Sequence, residues 1–183
     1  MELIDMEDSR LNLIGLTIKT TVVHTITYFL VGIVAFNLFS YSEGFAAPEM
    51  ACWMRPTDDP LVMAGVLFQP IRGVIFALAF FPLREILFGK KHGWLITWWL
   101  LVALGILSTF GPAPGSIEGM IYTILPLSIS TYLETIVQSF LLAGLLFYWV
   151  NHPEKKWLSW VLGVIFGIIL ILPILGLLVS GMS

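Results

Sequence analysis

The chain has 183 residues, of which 58% are hydrophobic and 11% charged, with a formal net charge of −3. Soluble domains carry roughly 25% charged residues, so composition alone places the chain among membrane proteins and leaves no stretch for a soluble catalytic domain. The small net charge gives no basis for a nucleic-acid partner, and the single cysteine, Cys52, excludes an intrachain disulfide and a metal site of the paired-cysteine type.

Five apolar segments of about 17–25 residues match the hydrocarbon thickness of a bilayer as helices. Backbone groups in hydrocarbon must be satisfied within their own segment, so the runs are expected to be helical. The expected fold is all-α: one polytopic transmembrane domain over residues 1–183, with helices at about 15–39, 61–85, 94–110, 127–150 and 157–180. The acidic start, MELIDMEDSR, lacks the basic region and small-residue site of a cleaved signal, so the first helix reads as a retained anchor. Residues 1–14 read as a loose end or a surface segment.

In the first helix Lys19 is placed to reach the interface. Thr20, His24, Thr27 and Tyr28 form a polar stripe at helical spacing. The stripe is either the lining of a cavity or packing glue, with threonine hydroxyls bonding back to their own helix and His24 bonding a neighbour. Residues 40–60 are rich in proline, glycine and acidic groups and read as a loop, with Phe45 and Trp53 at the interface. Thr57 is a candidate cap for the second helix, and Asp58 and Asp59 complement its dipole.

The second helix, LVMAGVLFQPIRGVIFALAFFPLRE, carries Gln69, Pro70 and Arg72 near its middle. Pro70 removes a backbone donor and is expected to break the helix near Phe68 or Gln69. A cation at that depth costs at least ~2.5–3.5 kcal/mol on insertion scales, so Arg72 is expected to face a partner or a hydrated cavity. The third helix begins with Trp94, Trp98 and Trp99 as interfacial anchors on the basic side. GPAPGSIEG, residues 111–119, is a turn, from which Ser116 opens the next helix.

From Met120 to Val150 the apolar run is ~46 Å long as one helix, too long for a ~30 Å core. Pro126 is therefore expected to divide it into a short interfacial or re-entrant piece, 117–125, and a fourth helix. On that helix Thr131, Glu134 and Gln138 share one face. The fifth helix has no charged residue and carries Gly163 and Gly167 in the spacing of a close-packing motif.

Arg10 and Lys19 precede the first helix; Arg84, Lys90 and Lys91 follow the second; Lys155 and Lys156 follow the fourth. An inside amino terminus and an outside carboxyl terminus satisfy all of these. In that frame Arg72 lies roughly 16 Å and Glu134 roughly 10 Å below the outer surface at helical rise, with Gln138 level with Arg72 and His24 deeper.

Gln69, Arg72, Thr131, Glu134 and Gln138 are thus the candidate buried polar cluster, with Arg72 expected to pair with Glu134. Thr20, His24 and Tyr28 form a second polar stripe. The cluster reads first as a channel- or transporter-like pathway for an ion or small polar solute, because burying a charge pair only to hold helices together is a poor bargain. The alternative is an accessory or assembly subunit, with Arg72–Glu134 as a structural bridge capped by Phe68, Phe76 and Tyr132. An intramembrane enzyme is the weakest reading. No nucleophile–base motif is present, Glu134 is the one carboxylate in the membrane interior, and His24, His92 and His152 lie at different depths, so no metal, haem or other cofactor is expected. The expected partners are the lipid bilayer and a homo-oligomer or larger membrane complex, and the expected location is a cell membrane, by compactness a prokaryotic inner membrane.

Overall fold

A computed structural model describes residues 12–51, 54–109, 111, 113, 115–123 and 129–180, with only the backbone of 49, 51, 129–131, 179 and 180. The expectations for the amino-terminal segment through Leu11, for Trp53 and for Pro126 lie outside the described residues. Every regular element among the described residues is helical. Helix α1 is Leu13–Leu38, and it starts where the Asn12 side chain accepts from Gly15 N. Ser40, in left-handed conformation at φ 49°, turns the chain into two short helices, α2 (Tyr41–Ala46) and α3 (Pro48–Ala51), in a region expected to be loop.

The second expected helix is a chain of short pieces. Helix α4 (Pro60–Met63) is followed by a 3-10 turn at Gly65–Phe68, then α5 (Gln69–Phe80), a second 3-10 turn at Phe81–Leu83 and α6 (Arg84–Leu87). Asp59, not Thr57, caps α4: its carboxylate accepts from Leu61 N at 2.8 Å. Proline at the first helical position fixes the register, and the residue before Pro60 takes the cap. Pro70 sits in the first turn of α5, where its missing N–H costs nothing, so the break falls just before Gln69.

Helix α7 (Gly93–Val102) continues as a π-helical turn, Ala103–Leu107. At helical rise its 15 residues cover only ~22 Å, less than a bilayer core. Gly111 and Gly115, at φ 107° and 85°, make the following turn, and Ser116 caps α8 (Ile117–Tyr122) by accepting from Gly119 N. Helix α9 (Ile129–Asn151) and α10 (Lys156–Ser180) are joined by a tight turn across which Trp149 Nε1 donates to Ser159 Oγ.

Among the described residues, four stretches are long and apolar enough to cross a membrane: Leu13–Leu38, Gly65–Leu87, Tyr132–Asn151 and Lys156–Leu178. This is the architecture of a multi-pass helical membrane protein. Contacts give the relative directions. Thr21 meets Gly73 and His24 meets Gln69, so α1 and α5 are antiparallel. Lys19, near the start of α1, donates from Nζ to the Trp149 carbonyl near the end of α9, and Tyr41, just beyond the end of α1, donates to Glu134 near the start of α9, so α1 and α9 are antiparallel as well. Trp98 Nε1 donates to the Ile136 carbonyl, and Trp94 and Trp98 both set an edge against Phe140. Two of the three tryptophans expected as interfacial anchors therefore clamp α7 to α9, because an indole N–H within reach of a helix carbonyl is better satisfied there than left pointing at hydrocarbon. Leu16, Val23, Leu87, Phe88, Leu142 and Leu146 form the core between these helices.

Helices α1 and α5 meet closely at Gly73. A Cβ built there falls 2.5 Å from the Thr21 Cα, so only glycine lets α1 and α5 approach this closely. Helices in lipid associate through such packing, since burial from water supplies no drive between them. Gly163, by contrast, faces open space within the chain. Gly73→Ala is expected to destabilise the protein by about 1–3 kcal/mol through overpacking. Gly163→Ala is expected to be neutral or slightly stabilising, by up to about 1 kcal/mol from helix propensity. Thermal melts of both variants in mild detergent test this contrast.

Candidate functional site

Gln69 is the hub of the polar cluster. Its amide nitrogen donates to the Gly65 carbonyl at 3.1 Å, one turn back across the 3-10 segment. That bond fixes which way the amide points and leaves Oε1 as the acceptor. Oε1 receives Arg72 Nη1 at 3.3 Å and lies 3.3 Å from His24 Nε2. Since Oε1 has no proton to give, His24 Nε2 carries the hydrogen and Nδ1 is left as an acceptor in the neutral ring. His24 is 1% exposed, and its Nδ1 has no partner among the described residues. The Phe76 ring meets the imidazole edge-on at 4.9 Å and holds its plane.

The geometry brings His24 into the cluster, although counting residues from the helix end places it deeper than Arg72. At ~39 Å by helical rise, α1 is longer than a ~30 Å core, so distance from one end of the helix does not fix depth. Thr27 bonds back to the Val23 and His24 carbonyls, as packing threonines do. Thr20, Thr21 and Thr25 have buried hydroxyls without partners among the described residues.

Arg72 and Glu134 do not pair: among the described residues the one ion pair is Arg55–Asp59, at 3.0 Å. The guanidinium of Arg72 rests 5.9 Å from the centroids of both Tyr28 and Phe76, and Gln69 is its hydrogen-bond partner. Glu134 instead accepts from the Tyr41 hydroxyl. Burial and then the bond to Glu134 push the Tyr41 phenol well above its ordinary range, so it keeps its proton and acts as donor. The two charges open into different cavities. His24, Arg72, Thr135, Gln138 and Ser139 line one of about 360 Å³ between α1, α5, α7 and α9, whose remaining wall is apolar. Glu134 lines another, of about 450 Å³, with Tyr28 and Tyr41. Tyr28 thus borders Glu134's cavity while lying under Arg72.

Of the side chains expected to seal a structural bridge, only Phe76 lies against Arg72. Tyr132 turns its hydroxyl to the Gly115 carbonyl at 2.9 Å, and Phe68 is half exposed. The Thr131 side chain lies outside the described residues. Sequence reasoning missed Tyr41 as the partner of Glu134, since a residue in a short connecting helix gives no periodic signal. The π-turn residues Leu104 and Gly105, which line the Arg72 cavity, were likewise not singled out.

Comparison with protein-family models gave no match, and comparisons with curated proteins and with solved structures gave none either.

Gln69→Leu removes the acceptor shared by the buried His24 ring and the exposed Arg72 guanidinium. It is expected to destabilise the protein by about 1–3 kcal/mol, the cost of leaving a buried polar group unsatisfied. Gln69→Glu, which keeps an acceptor beside Arg72, is expected to recover most of that loss in the same melting assay.

Proposed function

We propose that this chain is a five-helix membrane protein, with its amino terminus inside and its carboxyl terminus outside, that admits a small polar solute to the cavity beside Arg72. One observation carries the reading. Among the described residues, the exposed guanidinium of Arg72, near the middle of a bilayer-length stretch, has no carboxylate partner and lines the same cavity as His24, whose Nδ1 is buried without a partner. A charge placed there without a counter-ion is costly, and an incoming group that accepts from Arg72 would offset the cost. A solute with an anionic or acceptor oxygen and a neighbouring N–H or O–H matches both groups. The break before Gln69, next to this cavity, is the kind of helix interruption that solute-binding membrane proteins use.

The alternation of helix directions supports five crossings. It gathers Lys19, Arg84, Lys90, Lys91, Lys155 and Lys156 at one end, which the positive-inside rule assigns to the inner face. The short α7 with its π turn serves as the third crossing. The accessory-subunit reading keeps one observation in its favour: α10 is the most apolar of the long helices, and nearly nine-tenths of its span is unburied by its own chain.

Topology is tested with Glu43→Cys and Lys91→Cys, each in a Cys52→Ser background. In intact cells a membrane-impermeant maleimide is expected to label the cysteine at position 43 and not the one at 91. For the pathway, swelling of proteoliposomes in isosmotic acetate and glycerol is the assay. Arg72→Ala is expected to lower the acetate or glycerol rate at least tenfold while the melting temperature moves little. If the wild-type protein passes neither probe, or if Arg72→Ala passes them unchanged, the pathway reading fails and the accessory-subunit reading replaces it.

A further inference from the structure

The Glu134 cavity is separate from the Arg72 cavity and has a different character. Its volume is about 450 Å³, and five aromatic residues, Tyr28, Phe29, Phe36, Tyr41 and Phe45, share its wall with one carboxylate, the polar Asn37 and Thr57, and aliphatic residues. The rings are arranged as a group. Tyr41 and Phe45 stack at 5.7 Å, and Phe36 meets Tyr41 edge-on at 6.4 Å. No lysine or arginine lines the space among the described residues, and no cation lies within ion-pair distance of Glu134. The hydroxyl of Tyr41 is its hydrogen-bond partner and carries no charge.

A carboxylate on a bilayer-length helix whose one hydrogen-bond partner among the described residues is a neutral phenol is compensated best by a cation. A cation of some size also uses the aromatic wall, since ring faces attract positive charge by their quadrupole and apolar methyl or methylene groups pack against them. A small inorganic cation would draw on oxygens alone, those of Glu134, Tyr28, Tyr41, Asn37 and Thr57, and would leave the phenylalanine rings of the wall without a contact.

We propose that this cavity binds an organic ammonium ion, with its charge against Glu134 and its carbon substituents against Phe45, Tyr41 and Tyr28. The inference goes beyond the Arg72 reading and does not depend on it: it concerns equilibrium binding at Glu134, whether or not any solute crosses.

The test is calorimetric titration of tetraethylammonium chloride into the full chain in mild detergent, against sodium chloride at equal ionic strength. Saturable binding of tetraethylammonium is expected, with none for sodium. Glu134→Gln, which keeps the shape of the side chain, is expected to weaken binding at least tenfold. Phe45→Ala, on a short surface helix outside the core, is expected to weaken it several-fold with the melting temperature retained, and it decides the matter if Glu134→Gln does not fold. The proposal is overturned if the wild-type protein shows no saturable binding. It is overturned too if sodium binds as well as tetraethylammonium, or if Phe45→Ala or a folded Glu134→Gln binds like the wild-type protein.

Discussion

The close approach of α1 to α5 at Gly73 is the constraint on which the polar interior depends. With the Thr21 backbone against a residue that has no side chain, the two helices lie near enough for His24 to reach the Gln69 amide one turn further along. A larger residue at 73 would separate them and leave the buried His24 imidazole without its Gln69 partner, while the Gln69–Gly65 and Arg72–Gln69 bonds stay within their own stretch. In lipid this matters more than in a soluble protein, because no water waits to replace a lost bond. The 3-10 turn before Gln69 contributes as well: it presents the Gly65 carbonyl to the Gln69 amide nitrogen and thereby fixes the acceptor end of the hub.

Charge is handled in an unusual way. The economical arrangement for one arginine and one glutamate on neighbouring helices is to join them, and here they are kept apart. Arg72 is held by an amide oxygen and the faces of two rings, and Glu134 by a phenol. Each partner is neutral, so each charge is oriented without being cancelled. A buried pair of this kind adds little stability even when formed, so separation forgoes little. What it leaves is two cavities of opposite electrostatic character, with Tyr28 beside Arg72 and on the wall of the Glu134 cavity.

The other helices form a frame around this interior. The indoles of Trp94 and Trp98 tie α7 to α9 through Phe140 and the Ile136 carbonyl. Lys19 reaches the Trp149 carbonyl near the end of α9, where the last carbonyls of a helix lack intrahelical donors. Helix α10 buries a thin stripe, Leu158, Leu162 and Ile169, with Ile165 and Phe166 packed beside it, and leaves most of its surface uncovered by its own chain.

The sequence by itself determined the class of the fold, because the length and apolarity of a segment suffice to make a helix that fits a bilayer. It also located the break at Pro70, since a missing N–H announces itself locally, and it marked Arg72 as a charge in an apolar run. Periodicity placed Glu134 and Gln138 on one face of α9, but which of its neighbours they meet is a question of helix rotation and crossing, and no single segment encodes that. Only the tertiary structure decided that His24 joins Gln69, that Arg72 and Glu134 part, and that Tyr41 from a short connecting piece takes the carboxylate. Depth was misjudged for His24 because a helix longer than the bilayer core gives no fixed origin from which to count. The cap at Asp59 in place of Thr57 has the opposite cause, a purely local one: Pro60 fixes the first helical position, and the residue before it becomes the cap.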